Sequence, residues 1–177
     1  MGQGSQMRRF GLPRIIASVA LLTLMMLALS SVSAAPSSDL ERTLEVSSDL
    51  RVTALEFGRF DFDRARGTSV FTPAREIQMV PGVGYGWRMH VRTSRSEIAW
   101  TEQLALPSAP KTWGITSNVT LSADRRRATT RGVSTPNEGV IDNAWIFADG
   151  DPPGIYSIDV EIDGKLIGRG EVRVRSH

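Results

Sequence analysis

The chain has 177 residues, 41% hydrophobic and 23% charged, a balance that supplies one folded core and excludes a disordered or collagen-like organisation. It contains no cysteine, so disulfides, thiolate nucleophiles, zinc–thiolate sites and lipidation of an N-terminal cysteine are excluded together. Its formal net charge is +2, and that small excess of base comes from the N-terminus.

Residues 1–34 carry Arg8, Arg9 and Arg14 and no acid, then the apolar run 15–29, then the small-residue stretch 30–36. This is the three-part order of a secretory signal peptide, and Val32-Ser33-Ala34 presents small side chains ahead of a cleavage point after Ala34. The apolar run is shorter than the roughly 20 residues a helix needs to cross a bilayer. Phe10 and Gly11 follow Arg8-Arg9 directly, which fits general secretion better than a twin-arginine route. Cleavage removes three of 21 basic residues and none of 19 acidic ones, leaving 18 bases against 19 acids and a net charge of −1 for residues 35–177. The export segment predicts a periplasmic or extracellular product with no transmembrane segment in the mature chain. Nucleic-acid binding, which draws on net positive charge or a basic stripe beside aromatics, loses its support.

A polar N-terminal segment, 35–48, precedes a single domain over 49–177, close to the commonest domain size of ~100–150 residues. Within it short runs alternate apolar and polar residues between Gly, Pro, Asn, Asp and Ser, with no sustained helical period. Strands are expected near 50–57, 75–80, 85–92, 97–106, 117–123, 139–148, 155–162 and 165–175. In the third, Tyr85, Trp87, Met89 and Val91 share one face, and in the fourth Ile98, Trp100, Leu104 and Leu106 do. The turn Thr93-Ser94-Arg95-Ser96 between them reads as the tip of a hairpin. Asp163-Gly164 between two alternating runs predicts a closing hairpin with a two-residue turn, pairing Tyr156, Ile158, Val160 and Ile162 with Leu166, Val172 and Val174. Gly168 and Gly170 mark a bulge or a close backbone approach. About eight short strands predict an all-β, antiparallel two-sheet sandwich.

The stretch Trp145 to Lys165, with Pro153-Gly154-Ile155-Tyr156 entering a strand that turns at Asp163-Gly164, resembles the closing hairpin of immunoglobulin-like modules in exported bacterial proteins. With Val80-Pro-Gly-Val-Gly-Tyr-Gly86 and Leu104-Ala-Leu-Pro107 added, residues 75–175 resemble a poorly characterised family of small exported bacterial proteins, a domain of unknown function. The resemblance implies an immunoglobulin-like sandwich, with Tyr156 bonding back to the preceding turn as in a tyrosine corner, and it implies no activity.

Few groups carry chemistry. Nucleophilic hydrolysis needs an oriented base, and only His90 and His177 offer an imidazole; His90 lies between Arg88 and Arg92 on a polar face and reads as a surface residue. Gly82-Val-Gly84-Tyr-Gly86 lacks the spacing and the following helix of a nucleotide loop and reads as a turn into a strand. Asp61-Phe-Asp63 and Asp149-Gly-Asp151 pair carboxylates on loops, as a hard cation would require, although Asp in turns mostly bonds its own backbone; no cofactor is implied. Of the four tryptophans, Trp87, Trp100 and Trp145 fall in phase with apolar neighbours and read as core, while Trp113, in a Pro-, Ser- and Gly-rich connection, is the candidate contact residue. Arg125, Arg126, Arg127 and Arg131 form the one basic cluster of the mature chain. They suit an anionic partner, or else form a solvated loop or a charged edge strand. Glu102 stands in phase with Ile98, Trp100 and Leu104, so either a bulge turns it outward or an arginine pairs with it; the cost of burying a lone carboxylate favours the bulge.

These readings combine into an exported, non-enzymatic binding module of the cell envelope, contacting a protein or glycan through a loop end or a sheet edge. Two alternatives stand beside it. A carbohydrate-binding module requires Trp113 and a second tryptophan to lie coplanar at the surface, and a carboxylate-based hydrolase requires two acids facing each other across a cleft.

Overall fold

A computed structural model describes residues 43–63, 65–114 and 116–176. The expected signal peptide, its cleavage point and most of the polar segment lie outside the described residues. Every element below lies within the unit 34–177.

The described residues contain eleven strands: β1 (Leu44–Ser47), β2 (Leu50–Asp63), β3 (Thr68–Pro73), β4 (Glu76–Gln78), β5 (Val83–Thr93), β6 (Ile98–Ala105), β7 (Val119–Leu121), β8 (Arg127–Ser134), β9 (Val140–Ile146), β10 (Gly154–Ile162) and β11 (Lys165–Arg175). One sheet runs β1-β2-β5-β9, with β3 also on β2; the other runs β4-β11-β10-β6-β8-β7. All pairs are antiparallel except β4 with β11, which is parallel. No helix among the described residues is long and apolar enough to cross a membrane.

Three strands go beyond the sequence expectation. β1 begins inside the segment read as polar, because Val46 turns into the core while Glu45 faces out. β3 pairs with the long β2. β8 carries its inward positions on Ala128, Thr130 and Gly132, residues too small or polar to register as a hydrophobic row. β8 therefore lies between β6 and β7 and is neither a free edge nor a loop.

The expected β5–β6 hairpin does not form, since the two strands belong to different sheets. Residues 94–97 carry the chain across the sandwich, and the inward rows meet face to face, with the rings of Trp87 and Trp100 edge to face at 5.2 Å. The closing hairpin does form. Asp163 and Gly164 take φ of 52° and 72°, the positive values of a two-residue turn. A bulge displaces the register after Val160, which opposes Gly168, whereas Glu161 opposes Leu166. The extra residue, Ile167, is buried and Leu166 is 52% exposed, so the expected inward pairing of Leu166 is reversed by the change of phase. Gly168 and Gly170 are also points of close approach: a Cβ on them would stand 2.7 Å from Leu55 and 2.2 Å from the Phe57 ring of the facing sheet.

Candidate functional site

At one end of the sandwich three connections meet: residues 106–118 between β6 and β7, 122–126 between β7 and β8, and 147–153 between β9 and β10. The first two are tied by three bonds. Leu106 N–H donates to the Arg126 carbonyl at 2.9 Å, the Arg126 guanidinium donates to the Pro107 carbonyl at 2.8 Å, and the Trp113 indole donates to the Arg125 carbonyl at 2.9 Å. Lys111 N–H reaches the Gly150 carbonyl at 3.2 Å, joining the third connection to them. Gly154 packs against Pro107, and the Tyr156 hydroxyl donates to the Pro152 carbonyl at 2.8 Å, closing the corner. Beneath them the rings of Tyr85, Phe147 and Tyr156 pack together, with Tyr85 4.9 Å from each of the other two; burial raises both tyrosine pKa values.

The turn that carries the arginines is built by its neighbours. Asp124 accepts from the Ser122 hydroxyl at 2.6 Å and from Arg126 N–H at 3.1 Å, bonds that lower its pKa. Arg125 closes the turn through its N–H to the Ser122 carbonyl at 2.9 Å with φ of 56°, a left-handed conformation costly for a residue with a Cβ. Arg125, Arg126 and Arg127 are exposed and make no ion pair among the described residues, whereas Arg59, Arg88, Arg95, Arg169 and Arg175 each bind a carboxylate.

The sequence candidates are thus partly gathered. Trp113, Arg125, Arg126, Asp149, Asp151, Gly154 and Tyr156 belong to this end. Arg127 and Arg131 alternate along β8, where Arg131 bonds through its backbone to Asn118, and Asp163-Gly164 closes the opposite end. Asp151 accepts from Ala148 N–H at 2.9 Å, and partial burial raises its pKa; no cluster of three metal-ligating side chains occurs among the described residues. Asp61 is clamped by Arg59 and Asp63 caps the backbone of residues 65 and 66. His90 faces Glu56 at 3.8 Å. Gly82 forms the expected turn with φ of 80°, and Gly84 and Gly86 continue into β5.

Trp113 is half-buried, packed edge to face on Trp145 at 5.7 Å with 75° between the planes. The two therefore do not form the coplanar platform that sugar stacking requires.

Below Trp145 lies a group whose environment differs from the sequence expectation. Glu102 is neither turned out by a bulge nor paired with an arginine; it is 0% exposed between the sheets. Its Oε1 accepts from the Trp145 indole at 2.5 Å, and its Oε2 accepts from the Trp87 indole at 2.7 Å and the Asn143 amide at 2.9 Å. Burial raises its pKa and the three donors oppose the rise. The signal was present in sequence, because indole N–H groups placed in a core require an acceptor, but which strand would bring them was not.

The solved structure of an immunoglobulin-like protein from Pseudomonas aeruginosa is similar at a TM-score of 0.49 and 16% identity, over 74% of this chain and 100% of that one. No curated protein matches the chain. The PM0630 beta sandwich domain matches residues 55–175, from within β2 to the end of β11; the chain belongs to that family.

Proposed function

We propose that the chain is an exported, non-enzymatic recognition module of the cell envelope, and that its contact surface is the end bearing Trp113 and the 122–127 turn, directed at an anionic envelope component. The observation that carries this reading is the turn with the first residue of β8: three consecutive exposed arginines without ion pairs among the described residues, one of them in a left-handed conformation, tied by hydrogen bonds to the neighbouring connection. Strained backbone held in place by its surroundings is a frequent mark of a contact site, and guanidinium groups recognise phosphate, sulfate and carboxylate bidentately. A sheet of this kind needs no catalytic machinery to do so.

The test is binding of the protein to phosphatidylglycerol vesicles, to phosphatidylcholine vesicles and to a sulfated polysaccharide, compared with an Arg125→Glu/Arg126→Glu/Arg127→Glu variant. Binding to one of the anionic probes is expected, falling with added salt and weakened at least about tenfold in the variant, as the loss of even one charge-assisted bond would produce. Equal binding by the variant would refute the surface. Turnover of an envelope polymer that is abolished by changing Asp149 or Asp151 would refute the non-enzymatic reading.

A further inference from the structure

A continuous set of contacts leads from the centre of the sandwich to the arginine turn. Glu102 on β6 fixes the Trp145 indole on β9; the Trp145 ring supports Trp113; the Trp113 indole holds the Arg125 carbonyl. Every partner of the Glu102 carboxylate is a donor. A carboxylate suits that set, whereas a protonated acid brings a donor of its own and no longer carries the charge that strengthens the indole bonds. An acceptor for such a proton is close: Thr130 is the register partner of Glu102 on β8, and its buried hydroxyl has no hydrogen-bond partner among the described residues.

We propose that Glu102 is the positioning residue of the arginine turn, and that a proton gained at its carboxylate loosens Trp145, and through Trp113 releases Arg125 to Arg127. The significance of the release rests on the contact surface proposed above, but the release itself does not. From β5 Glu102 is faced by Trp87 and, two residues away, Tyr85; from β9 by Asn143 and Trp145; from β8 by Thr130; and beside it on β10 stands Val160. Tyr85 alone among these can titrate, and burial keeps it neutral. Asp124, within the turn, has a lowered pKa and keeps its charge on mild acidification. Asp151, in the adjoining connection, has a raised pKa and is the group to control for.

The experiment is hydrogen exchange on the full chain, reporting protection factors for Arg125–Arg127 against pH, with strand β10 as an internal reference for global unfolding. In the unmodified protein, protection of the turn should fall about tenfold on mild acidification while β10 stays protected. Glu102→Gln should show the released turn at every pH and no step. Trp113→Phe keeps an aromatic ring there but not the N–H, so it should also abolish the step with β10 intact, and it decides the matter if Glu102→Gln does not fold. Asp151→Asn should retain the step. A step that survives Glu102→Gln or Trp113→Phe, vanishes in Asp151→Asn, or is absent from the unmodified protein would overturn the proposal. If the step behaves as expected but the arginine variant still binds anionic probes normally, the contact surface fails and the positioning role stands.

Discussion

Arg125 occupies a backbone position that glycine fills without strain. Its φ of 56° brings Cβ against the following carbonyl, a cost of roughly 1–2 kcal/mol, while glycine adds back some unfolded-state entropy. Arg125→Gly should therefore raise stability by about 1 kcal/mol and the melting temperature by roughly 2–4 °C for a domain of this size. Thermal unfolding followed by circular dichroism would check this, and an unchanged or lower midpoint would show that the turn is unstrained. A residue that lowers stability where a neutral replacement exists is what a contact role would retain. Glu102 teaches the same lesson in the core, where apolar packing is interrupted by a carboxylate that must then be supplied with three donors.

Between strands, the decisive contacts are those where a side chain of one sheet fills the space left by a glycine of the other. A methyl group at Gly170 would stand 2.2 Å from Phe57, and overpacking of this kind typically costs about 1–3 kcal/mol. Gly170→Ala should lower the urea midpoint accordingly, and Phe57→Leu in the same chain should recover part of the loss, since a branched aliphatic side chain yields where a ring cannot. Full additivity of the two substitutions would show that they do not share this space. Within one sheet a similar complement occurs, the inner face of Gly132 on β8 being covered by the Trp100 ring of its register partner on β6. Such strands look weak in sequence because their packing surface belongs to a residue elsewhere.

Across the whole molecule, the end opposite the candidate site is fastened by Arg95. Its guanidinium binds Asp49 at 3.0 Å and Asp163 at 2.9 Å, and donates to Ser47 at 2.9 Å, joining the β1–β2 turn, the crossover between sheets and the β10–β11 turn. The Arg95 hydrogen bond, with help from Ser47, lowers the Asp49 pKa from 3.8 to about 2. A depressed carboxyl contributes stability that is full above its unfolded value and is lost as pH falls through the folded value, so this contribution disappears between about 4 and 2. Arg95→Met should be less stable than the unmodified protein at neutral pH, with the difference shrinking below pH 4. Urea unfolding at pH 7, 4 and 2 measures it; a difference constant with pH would show that Arg95 acts through packing alone. Glu102 has the opposite sign. Its raised pKa means that ionisation opposes folding as pH rises through it, so its protonation does not drive acid unfolding.

Alternation and turn chemistry were sufficient to read the β-sandwich, the Asp163-Gly164 turn and the inward rows of β5, β6 and β10, because these depend on period and local φ, which neighbouring residues determine, while the Tyr156 corner followed from the resemblance to immunoglobulin-like modules. The crossover at Arg95 and the burial of Glu102 depend on partners more than thirty residues away or on the opposite sheet, and the strand formed by Arg127–Ser134 depends on its pairing with β6 and β7. A run of alternating residues specifies which face is apolar and leaves open which strand will cover it. The association of Trp145 with Glu102 was settled only when the two sheets closed on each other, since unpaired indole and carboxylate groups must find one another once water is excluded.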